Sequence, residues 1–198
     1  MELRDVKTKI IGKNVKYFKE ISSTHIYAKE LVINMLDKEK NKSVVVIADK
    51  QTNGIGTKGR NWYTGSGKNI AMTIILNPKC KIKQLENLTF EIAESMQKAI
   101  WDLYNIKLEI KEPNDLMLNN KKIGGILTEI NTIGEKVNYL LISIGFNVNE
   151  ENFSKEVENI ATSLKKEHKD KQDFSRKEII AEFLERLEEK LLEKRIGL

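Results

Sequence analysis

Two apolar, β-branched runs with a glycine-rich segment between them constrain this chain more than any other feature. Ser43–Ala48 (Ser-Val-Val-Val-Ile-Ala) and Asn69–Leu76 have the composition of buried strands. The intervening segment then reads as a loop joining antiparallel strands. Val15–Phe18 reads as a shorter strand, and Ser22-Ser23-Thr24 stands where a helix N-cap belongs, ahead of Ala28, Leu31, Val32 and Met35 at helical spacing. That helix is expected to run to about Asp37. A longer helix is expected over Leu85–Leu103, where Leu88, Ile92, Met96, Ile100 and Leu103 share one face, covering the sheet. Further strands are expected near Lys107–Lys111, Lys122–Ile130 and Val137–Phe146, with Asn119-Asn120 as a hairpin signal between Met117 and Lys122. The chain returns to helix after Gly145, ending with Ile180, Phe183, Leu184, Leu187 and Leu191 on one face. Neither a repeat nor a linker interrupts it.

Composition narrows the class. A length of 198 residues with 40% hydrophobic and 32% charged residues suits one domain, 1–198, with a core that needs no disulfide or metal to hold it. The single Cys80 rules out a disulfide framework and a cysteine-rich zinc cluster, and reads as a buried thiol in a reducing compartment. No stretch approaches the ~18 apolar residues of a membrane span, and the charged N-terminus lacks the apolar core of a signal peptide, so the chain is expected to be soluble and cytoplasmic. The net charge of +5 comes from lysines spread along the chain, which fits a lysine-rich surface or anionic small substrates better than a concentrated nucleic-acid arm. His25 and His168 are too far apart in sequence to imply a local metal site.

Three segments carry candidate chemistry. Gly54-Ile55-Gly56-Thr57-Lys58-Gly59 matches the dinucleotide-binding pattern literally, but Arg60-Asn61-Trp62-Tyr63 and then a strand follow where a helix would be required. A P-loop fails as well, because Arg60-Asn61 replaces its lysine and hydroxyl residue. What remains is either an ordinary long loop or one whose backbone N–H groups approach a phosphate or carboxylate, with Lys58 and Arg60 to neutralise it. Lys111-Glu112-Pro113-Asn114-Asp115 gathers a cation, an amide and a carboxylate around a proline-fixed bend, which is either a surface turn or a phosphoryl-transfer cluster. Lys122 followed by Gly124-Gly125 marks a strand that something approaches closely.

Taken in order, Gln51-Thr52-x-Gly54-x-Gly56-x-x-Gly59-Arg60-x-Trp62, Lys111-x-Pro113-Asn114-Asp115, Lys122-x-x-Gly125-Ile126-Leu127, Gly145-x-Asn147-Val148-Asn149 and Ala161-Thr162-Ser163-Leu164 resemble the successive signatures of biotin–protein ligase catalytic domains. The resemblance spans roughly Val15 to the C-terminus. It implies an α+β fold, a mixed and mainly antiparallel sheet backed by helices, of the kind shared with class II aminoacyl-tRNA synthetases and lipoate ligases. It also implies a reaction in which biotin and MgATP give biotinoyl-adenylate and pyrophosphate, after which the adenylate acylates a lysine of a biotin carboxyl carrier protein.

Residue by residue, the resemblance assigns Ser23, Thr24, His25, Gln51, Gly54, Ile55, Gly56, Thr57, Lys122 and Gly125 to biotin. It assigns Lys58, Arg60, Trp62, Lys111, Asn114 and Asn147 to ATP and its phosphates, with Trp62 as an apolar wall. Lys111, Arg60 and Lys122 are the expected catalytic cations, Lys111 foremost, because two anions must be brought together before the carboxylate becomes an electrophile. Asp115 is the candidate for holding Mg²⁺.

The sequence departs from the family pattern at three places: Ser22-Ser23-Thr24-His25 stands for Asp-Ser-Thr-Asn, Glu112 for a tryptophan, and Ile55 and Thr57 for two loop arginines. The last departure suggests that Lys58 partly replaces the missing cations or that the adenylate leaks. With only residues 1–14 ahead of the first strand, no winged-helix DNA-binding domain is expected, nor a C-terminal SH3-like domain; no DNA binding follows, and a homodimer is compatible. The competing readings are a lipoate or octanoate ligase on the same fold and a basic binding module without enzymatic activity.

Overall fold

The computed structural model describes residues 6–34, 43–65 and 67–198. Seven strands form one sheet: β1 (Val15–Ile21), β2 (Val44–Gln51), β3 (Ile70–Leu76), β4 (Glu109–Lys111), β5 (Asp115–Leu118), β6 (Lys121–Ile133) and β7 (Lys136–Phe146), in the order β1-β2-β3-β7-β6-β5-β4. β1 and β2 run parallel and the other neighbours antiparallel. The sheet is therefore mixed and mostly antiparallel, as expected. The helices are α1 (Thr24–Asn34), α2 (Leu88–Tyr104), the single turn α3 (Leu164–Glu167) and α4 (Arg176–Glu193).

Strand periodicity explains how the sheet is covered. Alternate residues of a strand face opposite sides. In β2, Val45 and Ile47 join the main core with α2 and α4, while Val44 and Val46 join Ala28 and Val32 of α1 in a second cluster. In β7, Leu140, Ile142, Ile144 and Phe146 face the main core, and Tyr139 and Leu141 face α1. Both faces being covered, these strands read in sequence as nearly continuous apolar runs.

Several expected boundaries move. β1 continues past Phe18 to Ile21, because its parallel pairing with β2 extends to Gln51. The hairpin at Asn119-Asn120 forms with both asparagines at positive φ (50° and 62°), the geometry that a tight two-residue turn demands, and it makes 115–118 a strand in its own right. α2 starts at Leu88, not Leu85, because a 3-10 turn over Ile82–Leu85 precedes it. After Gly145 the chain does not return to helix directly: residues 147–163 are irregular and are held by side chains. Asn149 donates to Phe174 O and accepts from Phe174 N, both at 2.9 Å, and Asn147 Nδ2 donates to Thr162 O at 3.0 Å. The expected end of α1 near Asp37 lies outside the described residues. Cys80 is buried with a free thiol, and burial raises its pKa.

One charged residue is built into the helix layer. Glu188 of α4 is buried, and its carboxylate accepts backbone N–H groups of Lys9 (2.6 Å), Ile10 (2.9 Å) and Ile11 (2.8 Å), which clamps the N-terminal segment onto α4.

Candidate active site

The α1-facing side of the sheet changes in size along its strands, and that change makes the site. On β7 the residues on this side run Tyr139, Leu141, Ser143, Gly145; on β6 they run Glu129, Leu127, Gly125, with Gly125 directly opposite Gly145. Beneath α1 the side chains are large. Beyond the start of α1 they shrink to glycine, which leaves a depression floored by backbone.

Trp62 lies in that depression. A Cβ built on Gly145 would have three indole atoms as its nearest neighbours, none farther than 2.7 Å, and one on Gly125 would lie 3.5 Å from the indole edge. These glycines are thus explained by the ring that rests on them. The segment carrying Trp62 folds back on itself: Trp62 N donates to Gly54 O (2.8 Å), Gly56 N to Arg60 O (2.7 Å), and Gln51 and Thr64 close its base as an isolated bridge. Gly54 has no room for a side chain, since its Cβ would run into Trp62 O and lie 2.7 Å from Gln51 Nε2.

Two clefts meet at the indole. The inner cleft, about 40 Å³, is lined by Thr24, His25, Gln51, Ile55, Gly56, Thr57, Trp62, Asn114, Lys122, Gly125, Ser143 and Gly145 among others. The outer cleft, about 220 Å³, is lined by Gly56, Thr57, Arg60, Asn61, Trp62, Tyr63, Lys122 and Asn147, with Phe153, Val157, Ile160 and Ala161 as an apolar wall. Gly56, Thr57, Trp62 and Lys122 belong to both. The inner cleft is the narrower of the two.

Lys122 sits at the junction. Its Nζ donates to Asp115 Oδ1 at 2.6 Å and lies 5.7 Å from the centre of the Trp62 ring. The register across the β5–β6 hairpin brings the pair together, with Asp115 opposite Gly125 and Met117 opposite Lys122 across a bulge. The Ala161-Thr162 segment locks the same strand, Lys122 N donating to Ile160 O (2.8 Å) and Thr162 N to Lys122 O (2.9 Å).

The polar end of the inner cleft is a hydrogen-bonded network that spans α1 and four strands. Thr24 N donates to Gln51 Oε1 at 2.8 Å, and Thr24 Oγ1 lies 3.0 Å from the same atom. Thr73 Oγ1 is 3.0 Å from Thr24 Oγ1 and 2.8 Å from Ser143 Oγ. His25 Nδ1 is 2.9 Å from Ser143 Oγ, and His25 Nε2 is 3.2 Å from Glu129 Oε2, whose other oxygen pairs with Lys29 at 2.9 Å. Burial alone would raise the Glu129 pKa, but the hydrogen bonds and charges of Lys29 and His25 outweigh it and hold the carboxyl below its ordinary value.

The other residues singled out from sequence are placed as follows. Ser23 is buried, and its Oγ accepts from Ile26 N at 3.5 Å, the position of a helix cap. Lys58 is exposed with φ 58° and lines neither cleft. Arg60 is exposed at the outer cleft and folds back on Thr57, donating to its O (3.3 Å) and Oγ1 (3.2 Å). Lys111, at the end of an edge strand, is exposed and lines neither cleft. Asn114 lines the inner cleft and donates to Ile126 O at 3.1 Å. Asp115 faces Lys122 instead of an open cation site, and among the described residues no three His, Cys, Asp or Glu side chains are grouped as a metal would require. Sequence reasoning passed over Thr73, Ser143 and Glu129. The available signal was a lone hydroxyl inside each of the apolar stretches Ile70–Leu76 and Leu140–Phe146.

Comparison with known proteins decides the family. Residues 17–149 match the family described as Biotin/lipoate A/B protein ligase. The chain belongs to that family. A bifunctional ligase/repressor BirA of Bacillus subtilis is 36% identical over 161 residues, which cover 80% of this chain and 48% of that protein. A biotin–[acetyl-CoA-carboxylase] ligase of Paracoccus denitrificans is 34% identical over 108 residues, 54% of this chain and 45% of that one. The chain therefore spans about half the length of these curated relatives. Among solved structures, the biotin protein ligase of Aquifex aeolicus in complex with biotin and ATP superimposes with a TM-score of 0.74 at 28% identity, over 91% of this chain and 71% of that one. A P. falciparum protein determined with lipoate shares the fold alone, with 12% identity and a TM-score of 0.57. Among the described residues no helix is long and apolar enough to cross a membrane.

Proposed function

We propose that this chain condenses biotin with ATP to give biotinoyl-adenylate and pyrophosphate, and then transfers the biotinoyl group to a lysine of a carrier protein. One observation carries the reading: an inner cleft with a hydrogen-bonding end and an outer, partly apolar cleft meet at Lys122 and Trp62. A carboxylate reaching out of the first cleft and an α-phosphate entering from the second would meet at the Lys122 ammonium. Both are anions, and the ammonium, aimed by Asp115, offsets their repulsion and the charge that develops as the carboxylate oxygen bonds to phosphorus and pyrophosphate leaves. The acceptor amine then attacks the acyl carbon and expels AMP, with no covalent enzyme intermediate.

In this scheme Thr24, His25, Gln51 and Gly125 hold biotin with the 55–57 backbone, Ser23 shapes the helix start, and Gly54 keeps the loop closed on Trp62. Arg60 and Asn147 face the nucleotide. Lys58 and Lys111, exposed in this conformation, reach phosphate only if their segments move. Magnesium would arrive with the nucleotide's phosphates, since Asp115 is already paired with Lys122, and would neutralise phosphate charge there. The partner is a biotin carboxyl carrier protein. The cytoplasm is the proposed location, in keeping with the free Cys80.

A lipoate reading is weaker because a dithiolane or alkyl chain would bring no hydrogen-bonding group to the polar cleft end lined by Thr24, His25, Gln51 and Ser143. The test is incubation with ATP and either biotin or lipoate, followed by pyrophosphate detection and transfer to a carrier domain. Pyrophosphate with biotin alone is expected; equal release with lipoate overturns the assignment. The same reactions report whether Ile55 and Thr57, in place of two arginines, let free biotinoyl-adenylate escape. Retention as tight as in an arginine-bearing relative refutes leakage.

A further inference from the structure

We infer that Glu150 is a positioning residue that sets the width of the outer cleft, and with it the grip on the nucleotide. The inference rests on the nucleotide reading of that cleft given above and adds a residue to it. Glu150 is only 4% exposed, yet it lines neither cleft. A carboxylate is costly to bury, and it persists in such a place only where the groups around it offset its desolvation.

Those groups belong to two different segments. From the first, Lys68 Nζ lies 3.5 Å from Glu150 Oε1, and Oε2 comes so close to Gly65 that a Cβ there would run into it. Gly65 and Lys68 end the segment that carries Gly56, Thr57, Arg60 and Trp62 to the cleft. From the second, Asn152 N donates to Oε1 at 3.4 Å, and Ser163 Oγ donates to Glu150 O at 2.5 Å. Residues 150 and 163 thereby close the neck of the excursion that carries Phe153, Val157, Ile160 and Ala161.

Residues 147–150 form a strut between the two roots. On one side Val148 N donates to Asn69 Oδ1 (3.0 Å) and Asn149 N to Lys68 O (2.9 Å). On the other, Leu164 N donates to Asn147 O (3.3 Å) and Lys165 N to Val148 O (2.9 Å). The Glu150 side chain extends this connection one step towards the clefts, to Gly65, the neighbour of Thr64.

The consequence differs between the clefts. The outer cleft lies between the two segments, with Arg60, Trp62 and Tyr63 from one and Phe153, Val157 and Ile160 from the other, so its width depends on how their roots are tied. The polar end of the inner cleft is built on α1, β2 and β7, and Gln51 holds Thr64 there by its own bridge, Nε2 donating to Thr64 Oγ1 at 3.2 Å. Loosening the Glu150 tie therefore weakens the hold on the nucleotide and spares biotin.

The experiment is titration calorimetry of the full chain with MgATP alone and with biotin alone. Glu150→Ala is expected to weaken ATP about fivefold, the net worth of one hydrogen bond, with biotin affinity unchanged. Glu150→Gln keeps the reach between the segments and is expected to restore most of the ATP affinity, whereas Glu150→Asp falls short of Gly65 and is expected to behave as alanine does. Gly65→Ala displaces the carboxylate, so it is expected to weaken ATP by itself and to add nothing to Glu150→Ala. Unchanged ATP affinity in Glu150→Ala overturns the inference, and equal losses for ATP and biotin overturn it in favour of general loosening. Effects of Gly65→Ala and Glu150→Ala that multiply overturn the contact between them. Pyrophosphate release with biotin is measured on the same wild-type sample: its absence overturns the biotin reading alone, whereas wild type that binds no ATP overturns the role of Glu150 with it.

Discussion

Gly145→Ala should change the sign of its effect according to whether residue 62 is a tryptophan. The new Cβ would lie 2.7 Å or closer to three atoms of the indole, well inside contact distance, so the ring must leave the sheet. Overpacking of this kind costs about 1–3 kcal/mol. With Trp62→Ala the obstacle is gone, and replacing glycine by alanine inside a strand then stabilises by about 0.5–1 kcal/mol, because the unfolded chain loses freedom. The expected coupling between the two sites is therefore on the order of 1.5–4 kcal/mol. Urea denaturation of wild type, Gly145→Ala, Trp62→Ala and the double variant measures it directly. Gly125→Ala serves as the graded control, since its nearest neighbours are the flexible end of Lys122 at 3.3 Å and the indole edge at 3.5 Å. The reasoning is refuted if Gly145→Ala is neutral in the wild-type background, or if its cost persists after Trp62 is removed.

Glu188→Ala should destabilise by about 3 kcal/mol, because it leaves three backbone N–H groups of residues 9–11 without their acceptor; a denaturation shift under about 0.5 kcal/mol would show that water replaces the carboxylate at little cost. Glu167 is pulled in two directions: burial would raise its pKa, but hydrogen bonds from Thr162 (2.5 Å) and Asn119 (2.6 Å) outweigh this and hold it below its ordinary value. Because the folded pKa is the lower one, its contribution is present above pH 4.5 and disappears as pH falls through the folded value. Thermal melts between about pH 6 and pH 3 should therefore show a smaller acid-induced loss for Glu167→Gln than for wild type, by on the order of 1 kcal/mol; equal losses would remove Glu167 from the account.

Much of this protein was legible before any contact was known. Chain-local rules place a strand at Ser43–Ala48, a helix face at Leu88, Ile92, Met96 and Ile100, and a tight hairpin at Asn119-Asn120, because periodicity and turn chemistry act over a few residues. The ordered motifs pointed to the family and to the neighbourhood of Lys122 and Trp62. Period two says which residues of a strand share a face but not what will cover that face. For that reason the pairing of Thr73 with Ser143, the descent of Glu129 to His25 and the indole resting on Gly145 belong to the tertiary structure, which joins strands 70 residues apart. The same limit explains Lys111 and Glu188. A lysine in a polar cluster looked like the central cation, yet the edge position of β4 turns it to solvent; nothing in the sequence singled out Glu188, which is buried only because the N-terminal segment folds over it. Sequence determined the elements and the motifs of this protein, and packing between distant segments decided which of their polar groups face the cleft.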